Sequence, residues 1–230
     1  MTGEEIIAKA RDAKRNVLTV DESKDLLNAY GVQINKSFLA RDVDEAIKNG
    51  RETGFPVVMK IVSPEIIHKT DVGGVQVNIK DEEELEDTYK RMIESARSHF
   101  PNANIEGILI EEMVQGTEMI VGISKDPTFG HLIMFGMGGV FVEVFKDVSF
   151  RVVPIEKEDA LEMIEETKGK AIIEGARGNP IIDKEKIADV MLKVSNLIMD
   201  HPEVEEMDIN PLMGNSSEVV AVDARFLIAT

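Results

Sequence analysis

The sequence predicts a protein of the α+β class, with helices and strands in mixed order. In the first half, apolar residues at helical spacing alternate with short runs rich in β-branched residues. In the second half, short predicted strands are separated by turns that contain Gly or Pro, as an antiparallel sheet would require. This order favours an α+β or mixed α/β fold over a barrel or a Rossmann sheet.

Two short helices are predicted at the N-terminus. Ile6, Ile7 and Ala10 recur at helical spacing, which indicates the first helix. Asp21 stands before a second apolar stretch, which ends near Gly31. Both helices are expected to precede the first strand of the sheet.

A third helix is predicted from the capping box of Asp42 and Glu45, and Gly54 followed by Pro56 ends it. A long amphipathic helix has apolar positions from residue 85 to residue 100. Strands are predicted over residues 57–62, 75–79 and 107–113. These elements form the first of two lobes, expected over residues 1–110.

The second lobe, expected over residues 111–230, is predicted to be rich in strands. Asp183 is expected to cap a helix whose apolar stripe runs from Ile187 to Ile198. Further strands are predicted over residues 118–124, 131–135, 140–145, 207–209 and 219–222. No internal repeat or low-complexity tract interrupts this order, so one compact unit of two lobes is the expectation.

Composition narrows the class of protein. The chain has 230 residues and no cysteine, which excludes disulfides, thiolate catalysis and cysteine-ligated metals and fits a reducing compartment. The first residues lack the layout of a signal peptide, and no apolar run approaches the roughly 18 residues of a membrane span. We therefore expect a cytoplasmic protein with no membrane partner.

The charge of the chain argues against one class of partner. A formal net charge of -17 opposes binding to phosphate backbones, so nucleic acid is not expected as a partner. A nucleotide site would need local cations and a divalent metal.

Lys60 is one candidate for such a cation, since it lies in the otherwise apolar strand 57–62, where an unpaired ammonium is costly to bury. It is either a phosphate clamp or an edge-strand lysine that reaches water.

Neither standard nucleotide fingerprint is present. Gly136 and Gly138 are followed by Phe141 where the dinucleotide motif needs its third glycine. Ile164 stands where a P-loop ending at Gly169 would need a glycine. Any ATP site must therefore have another design.

A polar loop over residues 67–75 contains His68 and includes the pair Gly73 and Gly74. Glycines let backbone N–H groups approach phosphate closely. Neutral imidazole is a competent nucleophile near pH 7, so His68 could accept a phosphoryl group in a P–N bond. The alternatives are an ordinary turn and a plain surface histidine. Of the four histidines, only His68 sits among residue types that handle phosphate.

Two carboxylates, Glu111 and Glu112, stand where an apolar strand runs into a turn. One interpretation is a solvated strand end. The other is an interlobe hinge whose backbone pairs with adenine, with Glu118 accepting hydrogen bonds from ribose hydroxyls.

Asn210 and Asp223 lie on two stretches that a turn would make antiparallel neighbours. Such hard oxygen ligands suit Mg²⁺, which takes few protein ligands and completes its octahedron with phosphate and water. Turn chemistry is the alternative for this pair. Arg151 could reach a transferring phosphate or simply pair with a carboxylate.

Taken together, these residues resemble the ATP-grasp superfamily in order and spacing. The strings over residues 63–75, 135–143, 147–151 and 208–212 are similar to the nucleotide-binding subunit of ADP-forming acetate–CoA ligases. This likeness covers nearly the whole chain. Two departures are His131, where proline is expected, and Ala176, which replaces an aromatic residue.

The resemblance implies an ATP-grasp fold of two lobes with the nucleotide between them. It also implies the reversible conversion of acyl-CoA, ADP and phosphate to acid, CoA and ATP through phosphohistidine intermediates. By motif, the resemblance implies that His68 accepts the phosphoryl group, that Lys60 binds the nucleotide phosphates, and that Glu112 and Val114 offer hinge backbone to adenine. It also implies that Glu118 binds ribose, that Asn210 and Asp223 hold Mg²⁺, and that Asp208 orients the phosphorylated histidine. The amides of Gly73 and Gly74 are expected to stabilise the transferring group, with Glu111 among the nucleotide-binding residues and Arg151 among the catalytic ones.

A histidine that only exchanged phosphate with ATP would accomplish nothing, so a second site must receive the phosphoryl group. No Rossmann fingerprint for CoA is present, and a separate CoA-binding α subunit of Rossmann type is therefore expected, in an α2β2 hetero-oligomer. Two alternatives remain: an ATP-grasp carboxylate ligase without a phosphohistidine, and a non-catalytic nucleotide-sensing module.

Overall fold

The structure, a computed structural model, describes residues 1–63, 65–66, 72–139 and 146–229, without the side chain of Arg177. The chain divides into two compact units. The small unit is Asn35–Met113, and the large unit is Met1–Ile34 with Val114–Thr230. This division differs from the predicted segments 1–110 and 111–230, because the first 34 residues group with the second half of the chain.

The small unit is a four-stranded antiparallel sheet with two helices. Its elements are β1 (Ser37–Ala40), α3 (Val43–Thr53), β2 (Val57–Val62), β3 (Val75–Ile79), α4 (Glu82–His99) and β4 (Gly107–Glu112). The strand order is β1-β4-β2-β3, and every pairing is antiparallel. Asp42 caps α3 by accepting a hydrogen bond from the Glu45 N–H, as predicted.

Alternation along β2 decides which residues of the small unit enter its core. Val57, Met59 and Ile61 are buried and pack with residues of α3 and α4 such as Ala46 and Leu85. Because side chains alternate along a strand, residues 58, 60 and 62 face the opposite side of the sheet. This places Lys60 on the face away from the helices.

The large unit contains the remaining elements. In chain order they are α1 (Gly3–Asp12), α2 (Val20–Ala29), β5 (Thr117–Asp126), β6 (Gly130–Met137), β7 (Val148–Val152), α5 (Lys157–Glu166), α6 (Lys170–Ile173), a 3-10 turn (Ala176–Gly178), α7 (Lys184–Asp200), β8 (Val204–Gly214), β9 (Val219–Ala221) and β10 (Ala224–Ile228). Its antiparallel sheet has the order β10-β8-β5-β6-β7, and β9 also pairs with β8.

One face of the large sheet is packed against helices. Ile6 of α1, Leu26 of α2 and Val194 of α7 belong to the same buried cluster as Phe135 of β6 and Phe226 of β10. This burial explains why α1 and α2 group with the second half of the chain: their apolar stripes complete its core.

The α+β class and the antiparallel character of the second half are confirmed. The start of α2 differs from the prediction, because Thr19 is its N-cap, Glu22 closes the capping box, and Asp21 lies in the first turn. β1, β7, α5, α6 and β10 were not predicted from the sequence. The strand predicted over residues 140–145 lies outside the described residues. In the part of the chain that the structure describes, no helix combines the length and apolarity needed to span a bilayer.

Candidate functional site

Lys60 meets a carboxylate across the small sheet. Its Nζ lies 2.6 Å from Oε2 of Glu111, and the two side chains are 19% and 1% exposed. In the ladder Val58 pairs with Glu111 and Lys60 pairs with Leu109, so both charges lie on the same sheet face. A buried strand carboxylate therefore holds the ammonium, which retains donors for a further anion because an ammonium has three.

The described end of the predicted phosphate loop is anchored to the small unit. Gly73 has φ +66, which favours glycine, and its carbonyl accepts a hydrogen bond from Gln76 Nε2 at 3.2 Å. The carbonyl of Gly74 accepts from the Ile61 N–H at 2.8 Å. His68, the predicted phosphoryl acceptor, lies outside the described residues.

Glu112 ends β4 with its backbone already organised. Its N–H donates to the Lys36 carbonyl at 2.9 Å, and its carbonyl accepts from Asn35 Nδ2 at 3.3 Å. A carbonyl has a second lone pair, so that of Glu112 can still accept from a ligand. The amide of Val114 makes no backbone hydrogen bond within the described residues. The two backbone groups that the hinge hypothesis assigns to adenine are thus chemically available.

Glu118 lies near the start of β5 beside two glycines. Its carbonyl accepts from the Gly138 N–H at 2.8 Å. A Cβ at Gly138 would stand 2.8 Å from the Glu118 Cβ, so this approach requires glycine. A Cβ at Gly139, where φ is +59, would lie 3.7 Å from Glu118 Oε2. The glycine-rich turn after β6 therefore packs against the carboxylate predicted to bind ribose.

Three polar residues predicted from sequence meet on the open face of the large sheet. Asp208 and Asn210 are two residues apart on β8 and therefore share a face. The Asn210 N–H donates to the Asp223 carbonyl at 3.1 Å, which confirms that the two stretches are neighbours. Asp208 lies opposite Gly122 of β5 and Arg225 of β10.

The environment of Asp208 makes its carboxyl harder to ionise than that of an ordinary aspartate. Burial raises the pKa of the Asp208 carboxyl above its ordinary value, and the Arg225 guanidinium opposes this shift. The carboxylates of Asp223 and Glu206 raise this pKa further. These effects show that Asp208 and Asp223 are electrostatically close.

The oxygens of Asn210 and Asp223 suit Mg²⁺ in chemistry and number. Asp223 Oδ1 accepts from the Ala224 N–H at 2.9 Å, and its second oxygen accepts no hydrogen bond from the described residues. Within the described ranges, no group of three or more His, Cys, Asp or Glu could hold a metal by itself. An ion held here would need phosphate and water oxygens as well, which is the usual Mg²⁺ arrangement.

Arg151 lies on the other face of the large sheet. It pairs with Ile133 of β6 on the helix-covered side, whereas Asp208 shares the open face with Gly122 and Met134. Its guanidinium contacts Glu166 of α5 through two hydrogen bonds of 3.0 and 2.7 Å. The Glu166 carboxylate raises the pKa of Arg151 above its ordinary value. Pairing with a carboxylate, the alternative that the sequence left open, is the contact that the structure contains.

Two features of this site were not predicted from the sequence. Asn35 and Lys36 organise the backbone of Glu112, although they precede it by more than seventy positions. Gly138 was noted in a failed dinucleotide motif, and Gly138 and Gly139 lie in the string 135–143, but their contact with Glu118 was not predicted. A glycine pair after an apolar strand was the only sequence signal for the contact with Glu118. No sequence signal pointed to the contacts of Asn35 and Lys36 with Glu112.

Comparison with known proteins identifies the family. The ATP-grasp domain family matches residues 9–228. The β subunit of ADP-forming acetate–CoA ligase I from Pyrococcus furiosus is 48% identical over 225 residues, which cover 97% of each chain. ADP-forming acetate–CoA ligase I of Archaeoglobus fulgidus is 46% identical over 226 residues, which cover 98% of this chain and 33% of that protein.

Solved structures agree with these relatives. Acetyl-coenzyme A synthetase 1 of Ca. Korarchaeum cryptofilum, in complex with coenzyme A and Ca-AMPCP, matches with a TM-score of 0.94 and 42% identity, covering 99% of this chain and 100% of that chain. A second structure of that enzyme, with Mg-AMPPCP and its phosphohistidine segment pointing towards the nucleotide-binding site, matches with a TM-score of 0.88 and 38% identity over the same shares of both chains. The chain therefore belongs to the ATP-grasp family and, within it, to the β subunits of ADP-forming acetate–CoA ligases.

Proposed function

We propose that this chain is the nucleotide-handling subunit of an ADP-forming acyl-CoA synthetase, which interconverts acyl-CoA, ADP and phosphate with acid, CoA and ATP. The observation that carries this proposal is the 48% identity with the Pyrococcus furiosus β subunit across 97% of both chains. The part assigned to this chain is phosphoryl transfer between His68 and ADP.

The small unit would bind the phosphates of the nucleotide. The Lys60 ammonium, held 2.6 Å from Glu111, presents positive charge in a chain of net charge -17. The amides of Gly73 and Gly74 would add backbone donors. The Glu112 carbonyl and the Val114 N–H would form an acceptor and donor pair for adenine, and Glu118 would accept from ribose hydroxyls.

The large unit would hold the metal. Asn210 and Asp223 would contribute an amide oxygen and a carboxylate oxygen to Mg²⁺. When bound, the ion neutralises charge on the nucleotide phosphates. Asp208, on the same face as Asn210, would orient the phosphorylated imidazole.

The transfer step is a displacement at phosphorus. In the direction of ATP synthesis, an oxygen of the ADP β-phosphate forms the new P–O bond while the P–N bond of phospho-His68 breaks. The imidazole leaves with the electron pair of that bond, and no group is oxidised or reduced. Lys60 and the glycine amides stabilise charge on the transferring oxygens.

A partner must supply the acyl chemistry. The Archaeoglobus fulgidus relative is about three times as long as the region it shares with this chain, since the match covers 33% of it. We propose that the corresponding activity here resides on a separate CoA-binding α subunit of Rossmann type, in an α2β2 complex.

The experiment is phosphohistidine labelling. The full chain, alone and with its α subunit, would be incubated with Mg²⁺ and γ-labelled ATP, and base-stable, acid-labile label on protein would be measured. His68→Ala should abolish the label. His99→Ala is the matched control, because His99 lies at the end of α4 with its ring bonded to the Ser95 carbonyl.

The outcomes separate the candidate functions. Label that His68→Ala removes and His99→Ala retains supports the phosphohistidine relay. Tight ATP binding by the wild-type chain with no label, either alone or with the α subunit, would refute the relay. Formation of an acyl phosphate in that case would favour the direct carboxylate ligase, and its absence would favour the nucleotide-sensing module.

A further inference from the structure

A cleft in the small unit has no place in the proposed reaction. It lies between the start of α3, the middle of α4 and the segment before β4, and its volume is about 590 Å³. Ligand pockets commonly measure roughly 300–1,000 Å³. Its apolar walls include Val43, Ile93 and Ile105. None of its lining residues has a role in the nucleotide site proposed above.

Tyr89 brings a solvent-accessible hydroxyl on a largely buried ring to this cleft. Tyr89 is only 7% exposed, and its hydroxyl has no hydrogen-bond partner among the described residues. This hydroxyl can therefore donate to a ligand in the cleft. Burial raises the pKa of Tyr89, the carboxylates of Asp42 and Glu45 raise it further, and the Arg97 guanidinium opposes them. The Arg97 guanidinium is therefore close enough to the Tyr89 hydroxyl to affect its pKa.

Two arginines at the cleft are uncommitted. Arg41 and Arg97 both line it and are exposed, and neither side chain forms an ion pair or hydrogen bond within the ranges that the structure describes. By contrast, Lys90 at the same cleft pairs with Glu86 at 2.5 Å. In a chain of net charge -17, two guanidinium groups without an ion-pair partner at one cleft are a local concentration of positive charge.

The acidic residues of the cleft offset these charges only in part. The Asp42 carboxylate already accepts a hydrogen bond from the Glu45 N–H at 2.8 Å as the cap of α3. Glu94 also lines the cleft. Among the lining side chains, Arg41, Lys90 and Arg97 are cations and Asp42 and Glu94 are anions. The lining therefore carries a net charge of +1 and favours a negatively charged ligand.

We infer that this cleft binds a small organic molecule bearing a phosphate group. A guanidinium fork pairs with phosphate through two parallel hydrogen bonds. Two such forks and the Tyr89 hydroxyl offer more donors than the two oxygens of a carboxylate accept, whereas a phosphate monoester presents three terminal oxygens. Val43, Ile93 and Ile105 would pack against the apolar body of the ligand.

Tyrosine NMR provides a site-specific test. The chain has two tyrosines, Tyr30 in the large unit and Tyr89 in the small unit. The full chain labelled with ¹³C in its tyrosine rings would be titrated with phenyl phosphate, inorganic phosphate and phenol, and Tyr89→Phe would assign the two signals. Phenyl phosphate should shift the Tyr89 signal saturably and leave that of Tyr30 unchanged. Inorganic phosphate should bind at least fivefold more weakly, since it lacks the apolar body.

Two variants complete the test. The double substitution Arg41→Gln and Arg97→Gln should weaken phenyl phosphate binding at least tenfold. Arg51→Gln is the control, because Arg51 is exposed, lies away from the cleft and is paired with Glu82. Asp223→Asn, which would impair the proposed metal site, should leave this binding intact, so the inference does not depend on the proposed function. The absence of a saturable Tyr89 shift, unchanged affinity in the double variant, or equal binding of inorganic phosphate would overturn the inference.

Discussion

The Nζ of Lys60 lies 2.6 Å from Oε2 of Glu111, a strand carboxylate that is 1% exposed. The two residues are distant in sequence but lie on the adjacent strands β2 and β4, and the sheet register joins them. A carboxylate at this depth would be costly to bury without its cation, and the pair holds the ammonium on this face of the sheet.

Lys60→Met should lower the free energy of unfolding by about 3 kcal/mol, because it removes the ammonium that faces a buried carboxylate. Urea denaturation would measure this change, and nucleotide affinity should fall at least tenfold. Lys48→Met, at an exposed position of α3, should change stability by less than about 0.5 kcal/mol. Adding Glu111→Leu to Lys60→Met should restore most of the stability but not the affinity. Wild-type stability of the single variant would contradict this account.

Asp223→Asn should weaken Mg²⁺-dependent nucleotide binding at least tenfold, because it removes the only carboxylate of the proposed ligand pair. The fold should persist, since an asparagine Oδ1 can still accept from the Ala224 N–H. Calorimetric titration with ADP, with and without Mg²⁺, would separate the Mg²⁺-dependent part of the affinity from the part that does not need Mg²⁺. Glu205→Gln removes the same charge from an exposed position of β8 and serves as the control. Equal losses of affinity in both variants would point to general electrostatics rather than a ligand.

Arg151→Gln should reduce stability by about 1 kcal/mol or less, because its ion pair with Glu166 is partly exposed. Glu166→Gln should have a similar effect, since it breaks the same contact. His68 labelling should be nearly unchanged in both, because Arg151 lies on the helix-covered face of the large sheet, opposite Asp208. A tenfold loss of label in Arg151→Gln but not in Glu166→Gln would instead support the contact with a transferring phosphate, the other option that the sequence left open.

Glu22→Gln should make the protein less stable at neutral pH, by about 2 kcal/mol. The Arg15 guanidinium, bonded to both carboxylate oxygens at 2.8 and 2.9 Å, lowers the pKa of Glu22 from 4.5 to about 2. A lowered folded-state pKa contributes stability above pH 4.5, and this contribution is lost as the pH falls towards 2. The difference between wild type and variant should therefore shrink in acid.

Denaturation at several pH values would measure that difference. Glu5→Gln is a close control, because Glu5 holds the same capping-box position in α1 but is exposed and has no ion pair within the described residues. The control should show a smaller effect with little pH dependence. A constant gap between wild type and Glu22→Gln from pH 7 to pH 3 would refute the assigned cause.

Local elements were largely readable from the sequence. The capping residue of α3, the strand with Lys60 and the stripe of α7 were predicted, because capping and periodicity depend on neighbours a few residues apart. α5 was missed because half of its residues are acidic and its buried side is small, with Ala160, Met163 and Ile164. β1 was missed because four residues give too little alternation to detect.

The sequence by itself determined which chemical groups the chain carries and their order: a strand lysine, a histidine before a glycine pair, and late asparagine and aspartate residues. It also determined the family, because motif strings carry that information. Tertiary structure alone decided that Lys60 meets Glu111, that Arg151 and Asp208 occupy opposite faces of one sheet, and that α1 and α2 complete the core of the large unit. The physical reason is that strand register and helix docking join residues far apart in the chain, whereas sequence patterns record only local periodicity.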